Sequence, residues 1–149
     1  MALSLTGRAL RLLATREHSR AELVRKLARY EEEAGSLERV LDQLQAKGFI
    51  CEERVVASVL YRRAGKLGAL RIRQELQAKG LDPAAVTAAV GDLQATETAR
   101  ARAVWEKKFG GAMPTDASER ARQMRFLAAR GFGGETIRAV LRGSDAEDF

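Results

Sequence analysis

Residues 125–132 read RFLAARGF, a stretch in which a basic residue, a glycine and an aromatic residue follow a short apolar run. Such a glycine could belong to an anion-binding loop, or it could end a helix. Shifted back by 51 residues, the stretch lies over QELQAKGL, with Gly131 on Gly80 and Phe132 on Leu81. A left-handed glycine followed by an apolar residue is a common helix end. We therefore predict a helix stop at both places, with Phe132 and Leu81 as apolar plugs.

Helix-forming residues dominate the rest of the chain, which has only two prolines among 149 residues. The pattern Ser19-Arg20-Ala21-Glu22 predicts a capping box. Asp82-Pro83 is typical of a helix start, and Asp116 and Thr96 are expected to cap two later helices. Gly48 is expected to act as a further left-handed stop, with Phe49 packing back over it.

These starts and stops divide the chain into three similar sets of helices. Leu127 and Ile137 correspond to Leu76 and Val86, and the first third matches more loosely through Leu27. We predict an all-α protein with about nine helices, an elongated, curved stack of three tandem three-helix repeats, each with little core of its own. The expected repeats are residues 1–50, 51–95 and 96–149, joined as one continuous structural unit.

The charge balance favours an anionic partner, because 26 Lys and Arg residues face 20 Asp and Glu residues, a net charge of +6. Two runs lack acidic residues, from Arg62 to Arg73 and from Arg120 to Arg130. Solvated helix faces are the alternative reading of both runs. The candidate partner-binding residues are Arg62, Arg63, Lys66, Arg71, Arg73, Lys79, Arg122, Arg125 and Arg130.

No pattern of catalytic or metal-binding residues stands out. Cys51 and His18 are the only residues of their types and have no matching partners in the sequence. Core packing is expected for Trp105, and Tyr30 and Tyr61 are interpreted in the same way. No segment approaches about 20 consecutive apolar residues, so we expect a cytoplasmic protein without membrane contact. Because no catalytic or metal-binding pattern stands out, we also expect no catalytic residues, cofactor or metal. The final DAEDF is expected to be frayed.

Three motifs in the three thirds of the chain together resemble the RecX family, bacterial regulatory proteins that restrain the recombinase RecA. The first is R-x-x-S-x-x-E-L, beginning at Arg16, and the second is G-x-x-x-I-x-x-E-L-x-x-K-G, beginning at Gly68. The third is R-F-L-x-x-R-G-F, beginning at Arg125. The sequence departs from the family at Ala69, where a proline is common, and at Gly133, where a Ser or Asp cap is common.

The resemblance implies a regulator, not an enzyme. Such a protein would bind RecA and the groove of the RecA–DNA filament and inhibit its ATPase, strand-exchange and coprotease activities. It would thereby modulate DNA repair, recombination and the SOS response. Weak direct binding to DNA and a monomeric state are also expected. The alternative from the basic residues and short helices is a stand-alone DNA-binding module with helix-turn-helix-like units.

Overall fold

The computed structural model describes residues 3–142, which form nine α-helices and one short 3-10 helix and contain no strand. This confirms the all-α prediction; the DAEDF segment, residues 145–149, lies outside the described residues. The helices are α1 (Leu5–Thr15), α2 (Arg20–Leu27), α3 (Ser36–Ala46), α4 (Glu52–Arg63), α5 (Ala69–Ala78), α6 (Pro83–Gln94), α7 (Glu97–Phe109), α8 (Ala117–Ala129) and α9 (Gly134–Arg142), and the 3-10 helix is Ala28–Tyr30.

Each set of three helices encloses its own hydrophobic core. The first core includes Leu23 and Leu41, the second Ile72 and Leu76, and the third Leu127, and each of these side chains is fully buried. The expectation that single repeats have little core was therefore wrong. Three short helices that cross can bury one apolar stripe each, which is sufficient for a small core.

Most of the predicted helix caps are present. Ser19 accepts a hydrogen bond from the Glu22 N–H at 3.1 Å, and the Glu22 carboxylate accepts one from the Ser19 N–H at 3.0 Å, which completes the capping box. Asp116 accepts from the Glu119 N–H at 2.7 Å. Thr96 does not cap α7, because its hydroxyl donates to the Leu93 carbonyl of the preceding helix instead.

The glycine stops are left-handed, as predicted, with φ of +68° at Gly80 and +90° at Gly131. Leu81 and Phe132 are buried behind them. In the first repeat the plug is displaced by one residue, because Phe49 is 47% exposed whereas Ile50 is 3% exposed. The expectation for Phe49 was therefore wrong. After Gly48, the chain places the side chain of Ile50 in the core and leaves that of Phe49 at the surface.

The repeats are joined by end-to-end contacts between their second helices, α2, α5 and α8. At the junction of repeats 2 and 3, the Gly68 N–H donates to the Arg130 carbonyl at 2.7 Å, and the Leu70 N–H donates to the Gly131 carbonyl at 3.1 Å. Both donors lie at the N-terminus of α5, and both acceptors lie at the C-terminus of α8. Backbone N–H groups at the start of α5 and carbonyl groups at the end of α8, which have no partner within their own helices, therefore bond to each other.

A similar junction joins repeats 1 and 2. The Ser19 hydroxyl at the start of α2 donates to the Lys79 carbonyl, and the Arg25 guanidinium donates to the Ala78 carbonyl at 3.0 Å. Gly80 lies so close to Ala21 that a Cβ on the glycine would stand 2.6 Å from the alanine methyl. The C-terminus of one second helix thus docks on the N-terminus of the preceding one, twice in the chain.

The junctions arrange the repeats in series, as an elongated and curved stack. Among residues 3–142, no hydrogen bond or ion pair links the first three helices to the last three. The exact division at residues 50/51 and 95/96 stays a prediction. None of the described helices is long and apolar enough to cross a membrane.

Candidate partner-binding surface

The end of α4 and the turn after it place three residues of the predicted central basic cluster in two different clefts. Arg62 and Arg63 line a cleft between repeats 1 and 2, hereafter the first cleft. Lys66, three residues later, lines a cleft between repeats 2 and 3, hereafter the second cleft. The cluster is therefore not one patch, because the turn after α4 directs its two ends toward different neighbouring repeats.

The first cleft is basic but contains carboxylates. It has a volume of about 350 Å³ and mixes cationic with anionic side chains from helices of both repeats. Its lining residues are Arg16, Glu22, Arg25, Arg62, Arg63, Glu75, Ala78 and Lys79. Five cations against two carboxylates leave a local excess of positive charge. Arg16 and Arg25, which are not among the predicted partner-binding residues, come from repeat 1 and are brought here by the junction.

Glu22 is the buried centre of the first cleft. Its carboxylate accepts from Arg16 at 2.7 Å and from Lys79 at 3.3 Å, in addition to the capping bond from the Ser19 N–H. Burial alone would raise its pKa, but the hydrogen bonds from Arg16 and Ser19 and the charge of Lys79 lower the pKa to about 2. Lys79, one of the candidate residues, is therefore engaged inside the junction, with 13% of its side chain exposed.

The other two candidates in the first cleft differ in whether they already have an ion-pair partner in the protein. Arg63 donates to Glu75 at 3.1 Å. The second carboxylate oxygen of Glu75 is buried and has no partner among the described residues. Arg62 is exposed and forms no ion pair within residues 3–142. Arg62 is thus the candidate in this cleft best able to contact another molecule.

The second cleft has a volume of about 560 Å³, and no carboxylate of residues 3–142 lines it. Its walls carry four cations and a half-buried aromatic ring from repeats 2 and 3. The lining residues are Gly65, Lys66, Ala103, Val104, Lys107, Lys108, Phe126 and Arg130. Lys107 and Lys108 were absent from the candidate list, because the pair stands alone in sequence, far from Lys66. Only the packing of α7 beside the turn after α4 brings these lysines together.

The remaining candidates lie outside both clefts. Arg71 lies at the junction of repeats 2 and 3 and donates to the Ala129 carbonyl at 2.7 Å. Arg73 is half-buried, and Arg125 is exposed. Arg122 is exposed and forms a two-bond pair with Glu119 at 2.9 Å. The structure therefore does not unite the nine candidates in one site.

A further basic groove lies in the first repeat, with a volume of about 510 Å³ and no carboxylate in its lining within the part of the chain that the structure describes. Its basic residues are Arg8, Arg11, Arg25, Lys26 and Arg29, and Tyr30 packs among them, with the Arg8 guanidinium 3.7 Å above its ring. Arg25 also lines the first cleft, so the two concavities adjoin. This groove was not predicted, because its basic residues come from α1, α2 and the 3-10 helix, and none of these elements carries a long run of basic residues.

The single tryptophan, histidine and cysteine have structural environments. Trp105 is 5% exposed and donates to Gln123 at 2.8 Å, which confirms core packing. His18 is buried between the Arg16 carbonyl and the Lys26 amine, and burial lowers its pKa. Cys51 is half-buried at the start of α4. The interpretation of Tyr61 as a core residue was wrong, because its side chain is 92% exposed.

Three family models match the chain in the same order as the three repeats. The model described as "RecX, first three-helix domain" matches residues 7–44. The second and third three-helix domains of RecX match residues 52–90 and 95–141. Together the three matches cover most of the chain.

Relatives with the name "Regulatory protein RecX" align over almost the whole length. The protein of Leptothrix cholodnii is 54% identical over 97% of this chain and 92% of its own length. That of Herminiimonas arsenicoxydans is 47% identical over 97% of this chain and 95% of its own length.

Solved structures share the fold at low sequence identity. A crystal structure of RecX from Lactobacillus salivarius has a TM-score of 0.77 at 16% identity and covers 95% of both chains. A second crystal structure, of a regulatory protein RecX, has a TM-score of 0.76 at 18% identity and covers 91% of this chain and 70% of its own.

Proposed function

This chain belongs to the RecX family, and from that premise we propose that it binds RecA and the groove of the RecA–DNA filament. Binding there inhibits the ATPase, strand-exchange and coprotease activities of RecA and thereby modulates DNA repair, recombination and the SOS response. The observation that carries this proposal is the 54% identity, over 97% of the chain, to a protein named for regulation.

The shape of the molecule supports contact with a polymer. Because the repeats are joined end to end, their surfaces extend along one direction and can contact several neighbouring protomers at once. Several contacts made by one rigid molecule bind more tightly than any one of them, since the later ones are intramolecular. A molecule of this shape can hold protomers in place and block the changes that ATP hydrolysis and strand exchange require.

The charged clefts support an anionic partner surface. Arg62 is exposed in the first cleft, and Lys66 and Arg130 line the second. These three are the candidates that we place in direct contact with the RecA–DNA filament. We assign Lys79 and Arg71 mainly to the junctions, where their side chains hold neighbouring repeats together. Arg63 in the first cleft, and Arg73, Arg122 and Arg125 outside both clefts, remain proposed contacts.

The proposal includes a non-enzymatic role in the cytoplasm. We propose a monomer that acts without cofactor or metal and without contact with a membrane. Its effect on RecA is then an effect of binding alone, so inhibition should follow the occupancy of the filament and not the time of incubation.

The test is the DNA-dependent ATP hydrolysis of RecA from the same organism at increasing concentrations of this protein. Inhibition at or below one molecule per RecA protomer supports the proposal. Undiminished hydrolysis in the presence of excess protein, whose helical fold has been verified by circular dichroism, overturns it.

The second candidate function is direct DNA binding without RecA, which is favoured by the four cations that line the second cleft. Gel shifts over a salt series separate the two functions, since binding through phosphates weakens steeply as salt rises. Strong, sequence-specific binding in the absence of RecA would favour the second candidate. Weak binding would be compatible with the first.

A further inference from the structure

We propose that the second cleft is a binding site for the phosphodiester backbone of a nucleic acid strand, with Lys66, Lys107, Lys108 and Arg130 as its phosphate contacts. Nucleic acid binding is thereby assigned to the cleft between repeats 2 and 3. The inference draws its biological setting from the proposed function, but the binding itself does not require RecA.

The electrostatics of the second cleft distinguish it from the first. Within residues 3–142, none of its four cations forms an ion pair, and none donates a side-chain hydrogen bond to another residue. Four like charges around one concavity repel one another, and an anion that enters relieves this repulsion. A phosphodiester strand supplies one charge per nucleotide at regular spacing and so can meet several cations at once.

The first cleft is less suitable for phosphate, because it contains Glu22 and Glu75. Four of its five cations already have protein acceptors: Arg16 and Lys79 donate to Glu22, Arg25 donates to the Ala78 carbonyl, and Arg63 donates to Glu75. A phosphate there would meet both the negative charge of the carboxylates and donors that are already engaged. The two clefts therefore have different preferences, although each has an excess of basic residues.

The ring of Phe126 gives the second cleft an apolar surface between its cations. The Arg130 guanidinium lies 5.0 Å and the Lys108 amine 5.6 Å from the centre of the ring. Phe109 packs edge-on against Phe126 at 5.3 Å and supports it from behind. Cations around an aromatic surface are typical of proteins that bind nucleic acid strands, where phosphates meet the charges and bases or sugars meet the ring.

Ala103 offers a direct way to test the site. It is an exposed residue of α7 that lines the second cleft. Glutamate is a good helix former, so Ala103→Glu should leave the helix intact while introducing a carboxylate into a cleft whose lining, among the described residues, has none. Ala99 on the same helix is also exposed and does not line the cleft. Ala99→Glu is therefore a control with the same change in residue type and net charge.

The experiment measures the binding of a fluorescent single-stranded oligonucleotide by anisotropy, without RecA, over a salt series. We expect Ala103→Glu to lose roughly tenfold or more in affinity at low salt, and Ala99→Glu to bind within about twofold of the unchanged protein. Lys107→Ala/Lys108→Ala should reduce the slope of log K against log salt by about 1.4, which corresponds to two phosphate contacts. Inorganic tripolyphosphate serves as a competitor that presents phosphate without bases.

Several results would overturn the inference. One is equal DNA affinity in Ala103→Glu and Ala99→Glu; another is no binding of the oligonucleotide by the unchanged protein at low salt. Complete displacement by tripolyphosphate at concentrations equal to those of competing oligonucleotide would show a site for small phosphates instead. If Ala103→Glu keeps DNA affinity but no longer inhibits RecA, the cleft contacts protein, and the inference fails while the proposed function stands. Lost DNA affinity with retained RecA inhibition supports the inference.

Discussion

The backbone N–H of Gly68 donates a 2.7 Å hydrogen bond to the carbonyl of Arg130, although the two residues belong to different repeats. This bond joins the N-terminus of α5 to the C-terminus of α8. The positive end of one helix dipole thus meets the negative end of the next, which is the favourable alignment. The same direction is repeated where Lys79 at the end of α5 meets Ser19 at the start of α2. Helix ends therefore meet at both interfaces between repeats, through backbone bonds between repeats 2 and 3 and through the side chains of Ser19 and Arg25 between repeats 1 and 2.

Gly68→Ala should weaken the junction of repeats 2 and 3. Gly68 does not have a left-handed backbone, but a Cβ there would overlap the carbonyl group of Gly131. We expect a loss of about 2–3 kcal/mol in the free energy of unfolding, as for other overpacked sites. The control is Gly111→Ala, where φ is +80° and the space is open, so only backbone strain of about 1 kcal/mol applies. Urea denaturation measures both; equal losses would contradict a steric role for Gly68.

Ile50→Ala should destabilise the protein far more than Phe49→Ala, although phenylalanine is the larger residue. Ile50 is 3% exposed and belongs to the first core, whereas Phe49 is 47% exposed. We expect a loss of about 2–4 kcal/mol for Ile50→Ala and less than about 1 kcal/mol for Phe49→Ala. Thermal or urea unfolding of the two variants gives the comparison. The reverse order would restore Phe49 as the plug of the first helix stop.

Gln123→Leu should destabilise the third repeat through lost hydrogen bonds. Gln123 is 1% exposed, accepts from Trp105 and donates to the Ala112 carbonyl at 2.9 Å. A buried indole N–H without a partner costs about 1–3 kcal/mol. The additional substitution Trp105→Phe removes that donor. The double variant should therefore lose less free energy of unfolding than the sum of the losses of the two single variants. Strict additivity in urea denaturation would show that the bond contributes little.

Acid should open the junction of repeats 1 and 2 at Glu22. The folded-state pKa of Glu22 is about 2, below its ordinary value of 4.5. Its ionised form therefore contributes stability that is present above about pH 4.5 and is lost as the pH falls toward 2, up to about 3 kcal/mol. Glu22→Gln cannot titrate, so the stability difference between the unchanged protein and this variant should shrink between pH 5 and pH 2.5. A constant difference over that range would contradict the role given to the carboxylate.

Arg62→Glu should reduce the inhibition of RecA without unfolding the protein. Arg62 is exposed, lines the first cleft and has no ion-pair partner within the described part of the chain. Reversal of a charge at an interface changes affinity mainly through long-range electrostatics, and we expect at least about a tenfold higher concentration for half-inhibition. The matched control is Arg39→Glu, which changes the same charge on the exposed face of α3, away from both clefts. If both variants inhibit RecA equally well, the contact with RecA lies on another surface of the protein.

Much of the local structure was predictable because it depends on residues close together in the chain. The Ser19–Glu22 capping box, the Asp116 cap and the glycine stops at Gly80 and Gly131 are present as expected. Thr96 was mispredicted because its hydroxyl could bond either forward or backward along the chain, and the preceding helix provided the acceptor. Tyr61 was mispredicted because helical spacing does not say whether another helix covers that side of α4.

The candidate site was predictable only in part. The sequence identified Arg62 and Lys66, but not that they line different clefts. It also omitted Lys107 and Lys108, because the other two cations of the second cleft, Lys66 and Arg130, lie at least 22 residues away in sequence. Runs of like charge reveal only the cations that share one segment. Clefts between repeats collect cations from several segments.

By itself, the sequence determined the helical composition, the positions of most helix ends and the threefold repeat, because caps, stops and apolar periods act over three or four residues. Only the tertiary structure decided which helix end docks on which, and hence which charges face one another. The physical reason is that a junction such as Gly68–Arg130 brings together groups 62 residues apart, whose contact depends on how two complete repeats pack.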